Sequence, residues 1–134
     1  MSEGNIETLR AQIDALRRRD LKTWLEGFDP EVEFRLPPEW PDEDIGKGRE
    51  AALASMKTTL ELAENIEIQV REIAELDGPD RLLLSTRIVA TGAGSGVPVE
   101  FDRYDVITMR NGKVLRDAIF LKREQALEAA GLSE

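Results

Sequence analysis

Neither histidine nor cysteine occurs in the 134 residues, so any chemistry must run on carboxylates, lysine or the single tyrosine. Ser-His-Asp and Cys-His machinery is impossible, and metals held by thiolate or imidazole are excluded. A general base working near neutrality must then be an Asp, Glu, Lys or Tyr displaced by its surroundings. Carboxylate-only binding of Mg²⁺ or Ca²⁺ would call for an Asp-rich loop, and none with EF-hand spacing is present. No metal and no cofactor is expected. Among the charged residues inside segments that otherwise read as strands are Arg87, Arg103, Asp105 and Asp117. Arg103 and Asp105 are two apart and so share a face, Arg87 shares one with Val89, and Asp117 shares one with Leu115, Ile119 and Leu121. Charges in such settings are retained mainly when paired. A cross-strand ion network without catalysis is one reading, and acid/base work by a shifted carboxylate is the other.

The elements that must position these groups follow from periodicity. Ile6, Leu9, Ile13 and Leu16 recur at spacings of three and four, predicting a helix to about Arg18. Asp20 reads as the N-cap of a second short helix carrying Leu21, Trp24, Leu25 and Phe28, which Asp29-Pro30 stops. Val32, Phe34 and Leu36 alternate as a short strand before the loop Pro37-Pro38-Glu39-Trp40-Pro41. Gly46 to Gly48 introduces a third helix with Leu53, Met56, Leu60 and Ala63 on one face. From Asn65 the period becomes two: Ile66 to Val70, Leu82 to Thr91, Val99 to Met109 and Val114 to Leu121 predict four strands. Their turns are Leu76 to Asp80, Gly92 to Gly96 and Asn111-Gly112, the last a strong hairpin signal. Arg123 to Ala130 reads as a closing helix with Gly131 as a left-handed cap.

Helices followed by an antiparallel meander imply one α+β domain over residues 1–134, with helices on one sheet face. Leu82, Leu84 and Ile88 on one parity and Leu83 and Val89 on the other predict burial of both faces of that strand. A second copy is the simplest cover for the outer face, so a homodimer is expected. With 27 acidic against 18 basic residues and a net charge of −9, the field opposes a polyanion, and nucleic acid is not an expected partner. The basic run Arg17-Arg18-Arg19 sits in the last turn of the first helix, where cations complement the helix dipole. No run approaches the ~18 apolar residues of a membrane span, and Met1 to Asn5 leads into a charged amphipathic segment instead of a signal-peptide core. No membrane association is expected, and the cytoplasm is the expected compartment.

Order and residues together resemble the SnoaL-like, or nuclear transport factor 2-like, superfamily, which includes polyketide cyclases, ketosteroid isomerases and limonene-type epoxide hydrolases. The resemblance spans nearly the whole chain. It is carried by Trp24 to Phe34 (WLEGFDPEVEF), Gly46 to Glu50 (GKGRE), the glycine-rich Gly92 to Val99, and Asp105 to Phe120 (DVITMRNGKVLRDAIF) running into Arg123 to Leu132 (REQALEAAGL). It implies a cone-shaped, curved antiparallel sheet with the N-terminal helices on its concave face, a cystatin-like arrangement enclosing a cavity for a small apolar molecule. By that analogy Phe34, Leu36, Met56, Leu60, Arg87, Val89, Phe101, Arg103, Asp105, Asp117 and Ile119 face the pocket, with Trp40 near its mouth.

Residue by residue, the resemblance implies less than a mechanism. The epoxide hydrolases' Asp-Arg-Asp set finds matches only in Arg87 and Asp117, with Val89 in the place of the first carboxylate. Their water-holding Tyr and Asn align with Phe34 and Leu36, which argues against epoxide hydrolysis. The isomerases' base falls near Phe34, and Tyr104 sits on the parity opposite Phe101 and Arg103, so that recipe is absent too. SnoaL-type cyclases need only one acid/base carboxylate in an apolar cavity. Asp117 fits that role with Arg87 orienting it, and Asp105 and Arg103 are second candidates. The resulting expectation is a cofactor-independent isomerase or cyclase acting on a small apolar ligand. The alternative is a non-catalytic ligand-binding or dimerisation domain whose pocket charges are structural.

Overall fold

Helix α1 (Ser2–Arg17) forms where the three- and four-residue spacing runs, burying Leu9 and Ile13 while Ile6 and Leu16 pack beside them. The computed structural model describes residues 2–40 and 46–132; Met1 and Pro41, to which the sequence reading assigned a lead-in and a loop end, lie outside the described residues. The Asp20 side chain accepts a hydrogen bond from the Thr23 backbone N–H at 3.2 Å and starts α2 (Leu21–Glu26). Gly27 closes α2, and Asp29-Pro30 falls instead inside β1 (Phe28–Arg35). Before α3 (Arg49–Leu62) comes a two-residue strand, β2 (Gly46–Lys47), which the sequence reading took as helix lead-in.

Four long strands follow: β3 (Ala63–Glu75), β4 (Arg81–Gly92), β5 (Pro98–Arg110) and β6 (Lys113–Phe120). Asn111 and Gly112 have φ of 53° and 76°, the doubly left-handed turn that suits a tight hairpin. The sheet order is β2-β1-β6-β5-β4-β3. All neighbours are antiparallel except β1 and β6, which run parallel with Phe34 opposite Asp117. β3 slips register against β4 twice, between Glu64 and Glu67 and between Val70 and Glu72. Such bulges bend a strand and increase its local twist.

Two apolar clusters result. The larger lies between α1, α2, α3 and the inner face of the sheet, and includes Trp24, Phe28, Leu84 and Ile107. The smaller is on the outer face, where Leu83, Val106 and Phe120 are covered by Ala126, Leu127 and Ala130 of α4 (Arg123–Ala129) and its cap. Leu83, whose outward side implied a second copy, is 1% exposed within one chain, so α4 supplies that cover. Beyond α4 the outer face carries ions: Arg87 bridges Glu100 and Asp102, and Arg71 lies 3.7 Å from Asp102. Among the described residues no helix is long and apolar enough to cross a membrane.

α4 ends in a paired capping pattern, Leu132 N–H to Leu127 C=O at 2.7 Å and Gly131 N–H to Glu128 C=O at 3.0 Å, with Gly131 at φ 80°. A Cβ there would meet no neighbour within 4 Å. Gly131→Ala should therefore cost about 1 kcal/mol from backbone conformation alone, with no packing loss. Urea unfolding reads this directly, and an unchanged midpoint would mean that the end of α4 frays without loss.

Candidate functional site

Helices and sheet do not close on each other completely. Between them lies a cavity of about 500 Å³, within the range that takes a drug-sized molecule. Its walls are mostly apolar, from the even-numbered residues of β4 (Leu84, Thr86, Ile88, Ala90), the odd-numbered residues of β5, and one side each of α1 and α3. Trp24, Phe28 and Phe34 form a chain of edge-to-face contacts with centroids 4.8 and 5.3 Å apart, and Trp40 meets Phe101 in the same way at 6.4 Å.

Of the residues assigned to the pocket from sequence, Phe34, Leu36, Trp40, Met56, Leu60, Phe101, Arg103, Asp105, Asp117 and Ile119 line this cavity. Arg87 and Val89 do not. They occupy the odd positions of β4, which face outward, and Arg87 is held there by Glu100 and Asp102. The physical reason is the composition of β4: with apolar residues on both parities, alternation alone does not say which face is inner. The pairing of Arg87 with Asp117 is therefore replaced by another. Tyr104 packs against the outer cluster, away from the cavity.

The arginine beside the two buried carboxyls is Arg103. Its Nε and Nη2 each lie 2.8 Å from an oxygen of Asp105, a two-pronged ion pair along one strand. Asp117 arrives from β6, where the register against β5 slips between Thr108 and Met109, so that Val114 and Asp117 both line the cavity although three apart. Asp117 Oδ2 is 3.9 Å from Arg103 Nη2, too far for a direct hydrogen bond. Asp105 and Asp117 are both buried.

Burial pushes both carboxyls up, and they part company over what opposes it. For Asp105 the charge and hydrogen bonds of Arg103, with a further hydrogen bond from Asp117, outweigh burial and hold it below its ordinary value. For Asp117, burial is reinforced by the negative charge of Asp105 and by the hydrogen bond shared with it; Arg103 opposes too weakly, and Asp117 stands well above the carboxylate range. The three groups thus make an ion pair plus a third carboxyl, Asp117, that holds its proton more tightly than an ordinary carboxyl does. Asp117 Oδ1 is buried without a hydrogen-bond partner among the described residues.

This arrangement can exchange one proton with an oxygen atom of a bound molecule. Asp105 is a weak base, since the Arg103 guanidinium bonded to both its oxygens lowers its proton affinity, and the cavity's described lining holds no further carboxylate. The sequence reading missed Trp24, Phe28, Thr86 and Ile88 as lining residues. Trp24 and Phe28 were visible as an apolar helix side, whereas Thr86 and Ile88 needed the inner parity of β4.

A search of curated proteins returns no match for this sequence. Solved structures do match in fold. An NTF2-like protein of unknown function from Burkholderia pseudomallei K96243 superposes with a TM-score of 0.77 at 19% identity, over 96% of each chain. TerC, co-crystallised with polyporic acid, gives 0.75 at 23% identity over 89% of this chain and 92% of its own. A candidate SnoaL-like polyketide cyclase from Jannaschia sp. CCS1 gives 0.76 at 19% identity over 89% and 85%. In sequence, the family profile described as the SnoaL-like domain matches residues 9–116, which takes in Arg103 and Asp105 and stops one residue short of Asp117. A match over so much of the chain, on a fold shared nearly end to end, makes this protein a member of the SnoaL-like domain family.

Proposed function

We propose that the cavity binds a small, mainly apolar carbonyl compound and that Asp117, as a neutral acid, exchanges its proton with that compound's oxygen in a cofactor-independent isomerisation or ring closure. The observation that carries this reading is the buried Asp117 Oδ1, which has no partner among the described residues in a cavity of ligand size. A carbonyl oxygen placed there would compete with Asp105 for the one proton of Asp117 and receive it as negative charge develops on the ligand oxygen. With no second free carboxylate on the described lining, the nucleophile must bring its own acidity, as an enolised dicarbonyl does. In such a closure the enol carbon bonds to the carbonyl carbon, the carbonyl oxygen takes the Asp117 proton, and the enol O–H returns one to the carboxylate. The acid is regenerated and no redox partner is consumed. The co-crystallisation of TerC with polyporic acid supports the choice of an organic ligand for this kind of cavity, and the Jannaschia protein's description supports ring closure; both lend analogy alone.

The competing reading, a binding domain whose charges are structural, draws on the completeness of the Arg103–Asp105 pair. Carboxyl ¹³C titration separates the two. Asp117 should stay protonated well above the ordinary carboxylate value of about 4, and its resonance should move on adding 2-acetylnaphthalene, a neutral apolar ketone. An Asp117 that titrates normally and ignores the ketone would rule the proposal out.

A further inference from the structure

The basic run at the end of α1 divides by partner. Arg17 Nη2 donates to the Ile68 carbonyl at 2.6 Å, and Arg18 pairs with Asp14 at 3.0 Å and lies 3.7 Å from Asp20. Arg19 has neither an ion pair nor a side-chain hydrogen bond among the described residues, and it lines the cavity from an exposed position. Its backbone is unusual as well. Asp20 N–H bonds Ala15 C=O at 2.8 Å and Arg19 N–H bonds Leu16 C=O at 3.1 Å, the same paired cap that ends α4, with Arg19 at φ 60°. That is the position glycine ordinarily takes because a Cβ is disfavoured there, and α4 does use a glycine. Here the chain carries a long cation instead.

The charge of the lining points the same way. Among the described residues four ionisable groups line the cavity; Arg103 is paired with Asp105, the Asp117 carboxyl favours its neutral form, and Arg19 is the cation left without a counter-charge. The whole protein carries −9, so an anion near this cavity needs a local cation to offset the general repulsion.

We infer that Arg19 recognises a carboxylate on the ligand, so that the cavity takes an elongated apolar molecule with its carbonyl at Asp117 and its anionic end at the rim. The inference rests on the apolar-ligand reading of the cavity and adds the ligand's second polar end. Arg17 ties the end of α1 to β3, three strands from β6 in the sheet order. At ~4.8 Å per strand the two polar ends stand roughly 14 Å apart along the sheet, a span that about ten carbons in a chain fill.

The test uses N-phenyl-1-naphthylamine, a neutral dye that fluoresces in apolar cavities, displaced by decanoate or by decanol from wild type and Arg19→Gln. Arg19→Gln should raise the decanoate concentration needed by about five-fold and leave decanol within two-fold, and the difference should shrink as salt is added. Arg19→Gly should lose decanoate equally while unfolding at the same or a higher temperature, since glycine suits φ 60°. Equal loss of decanoate and decanol would make Arg19 a wall of the cavity and overturn the inference, as would no loss of either. If wild type fails to bind the dye at all, the apolar-ligand reading falls first and takes this with it; dye binding with unaltered decanoate sinks the Arg19 inference alone.

Discussion

Asp117→Asn should slow conversion of the proposed carbonyl substrate by a factor of about 10² to 10⁴, the contribution of a positioned acid, while leaving the fold intact. Asparagine keeps the shape and can still donate to Asp105, but has no proton to transfer. Stability should move the other way. A carboxyl raised in the folded state contributes stability that is complete below the unfolded value of about 4 and is lost as pH rises toward the folded one. Asparagine has nothing to lose, so the variant should match wild type at pH 4 and exceed it increasingly through neutrality. Turnover and urea unfolding across that range check both halves. Unchanged turnover would remove Asp117 from the chemistry, and a variant less stable at neutral pH would mean that the wild-type carboxyl is ionised.

Arg103→Met should destabilise the protein by about 3 kcal/mol at neutral pH, because it strands the fully buried Asp105 without its cation. The cost stays at the low end of the range for a broken buried pair because Asp105 can take up a proton instead of remaining charged. In wild type Asp105 is depressed, so it contributes stability above the unfolded value of about 4 that is lost as pH falls through its folded one. The gap between variant and wild type should therefore narrow under acid. Adding Asp105→Leu to Arg103→Met should return stability to within about 1 kcal/mol of wild type, since an apolar pair can replace a buried ionic one. If the single variant unfolds at the wild-type midpoint, Arg103 and Asp105 are not coupled in the folded protein. Asp117 should also respond, since in Arg103→Met it loses the one group that opposed its rise.

Much of this fold was readable because local patterns agreed with the long-range ones. The spacing of Leu9 and Ile13, the cap at Asp20, the Asn111-Gly112 turn and the left-handed end at Gly131 all depend on neighbours in sequence, and each is found where it was read. The resemblance to the SnoaL-like family also named ten of the residues that line the cavity. β4 defeated the same reasoning. Its apolar residues occupy both parities because α4 covers Leu83 on the outside while α1 to α3 cover Leu82 and Leu84 on the inside, and a strand buried on both faces has no polar side to orient it. The family resemblance implied an inward Arg87, whereas Glu100 and Asp102 of β5 hold it on the outer face.

What the sequence alone determined is the chemistry available and one of its pairs. Without histidine or cysteine, a general acid or base had to be a shifted Asp, Glu, Lys or Tyr, and Arg103 with Asp105, two apart on a strand, had to share a face. What only the tertiary structure decided is which carboxyl is shifted. That depends on the β5–β6 register and its slip, on burial, and on Arg103 reaching Asp105 at 2.8 Å but Asp117 only at 3.9 Å. Proton affinity follows distances between groups far apart in the chain, and residue order does not contain those distances until the sheet has closed.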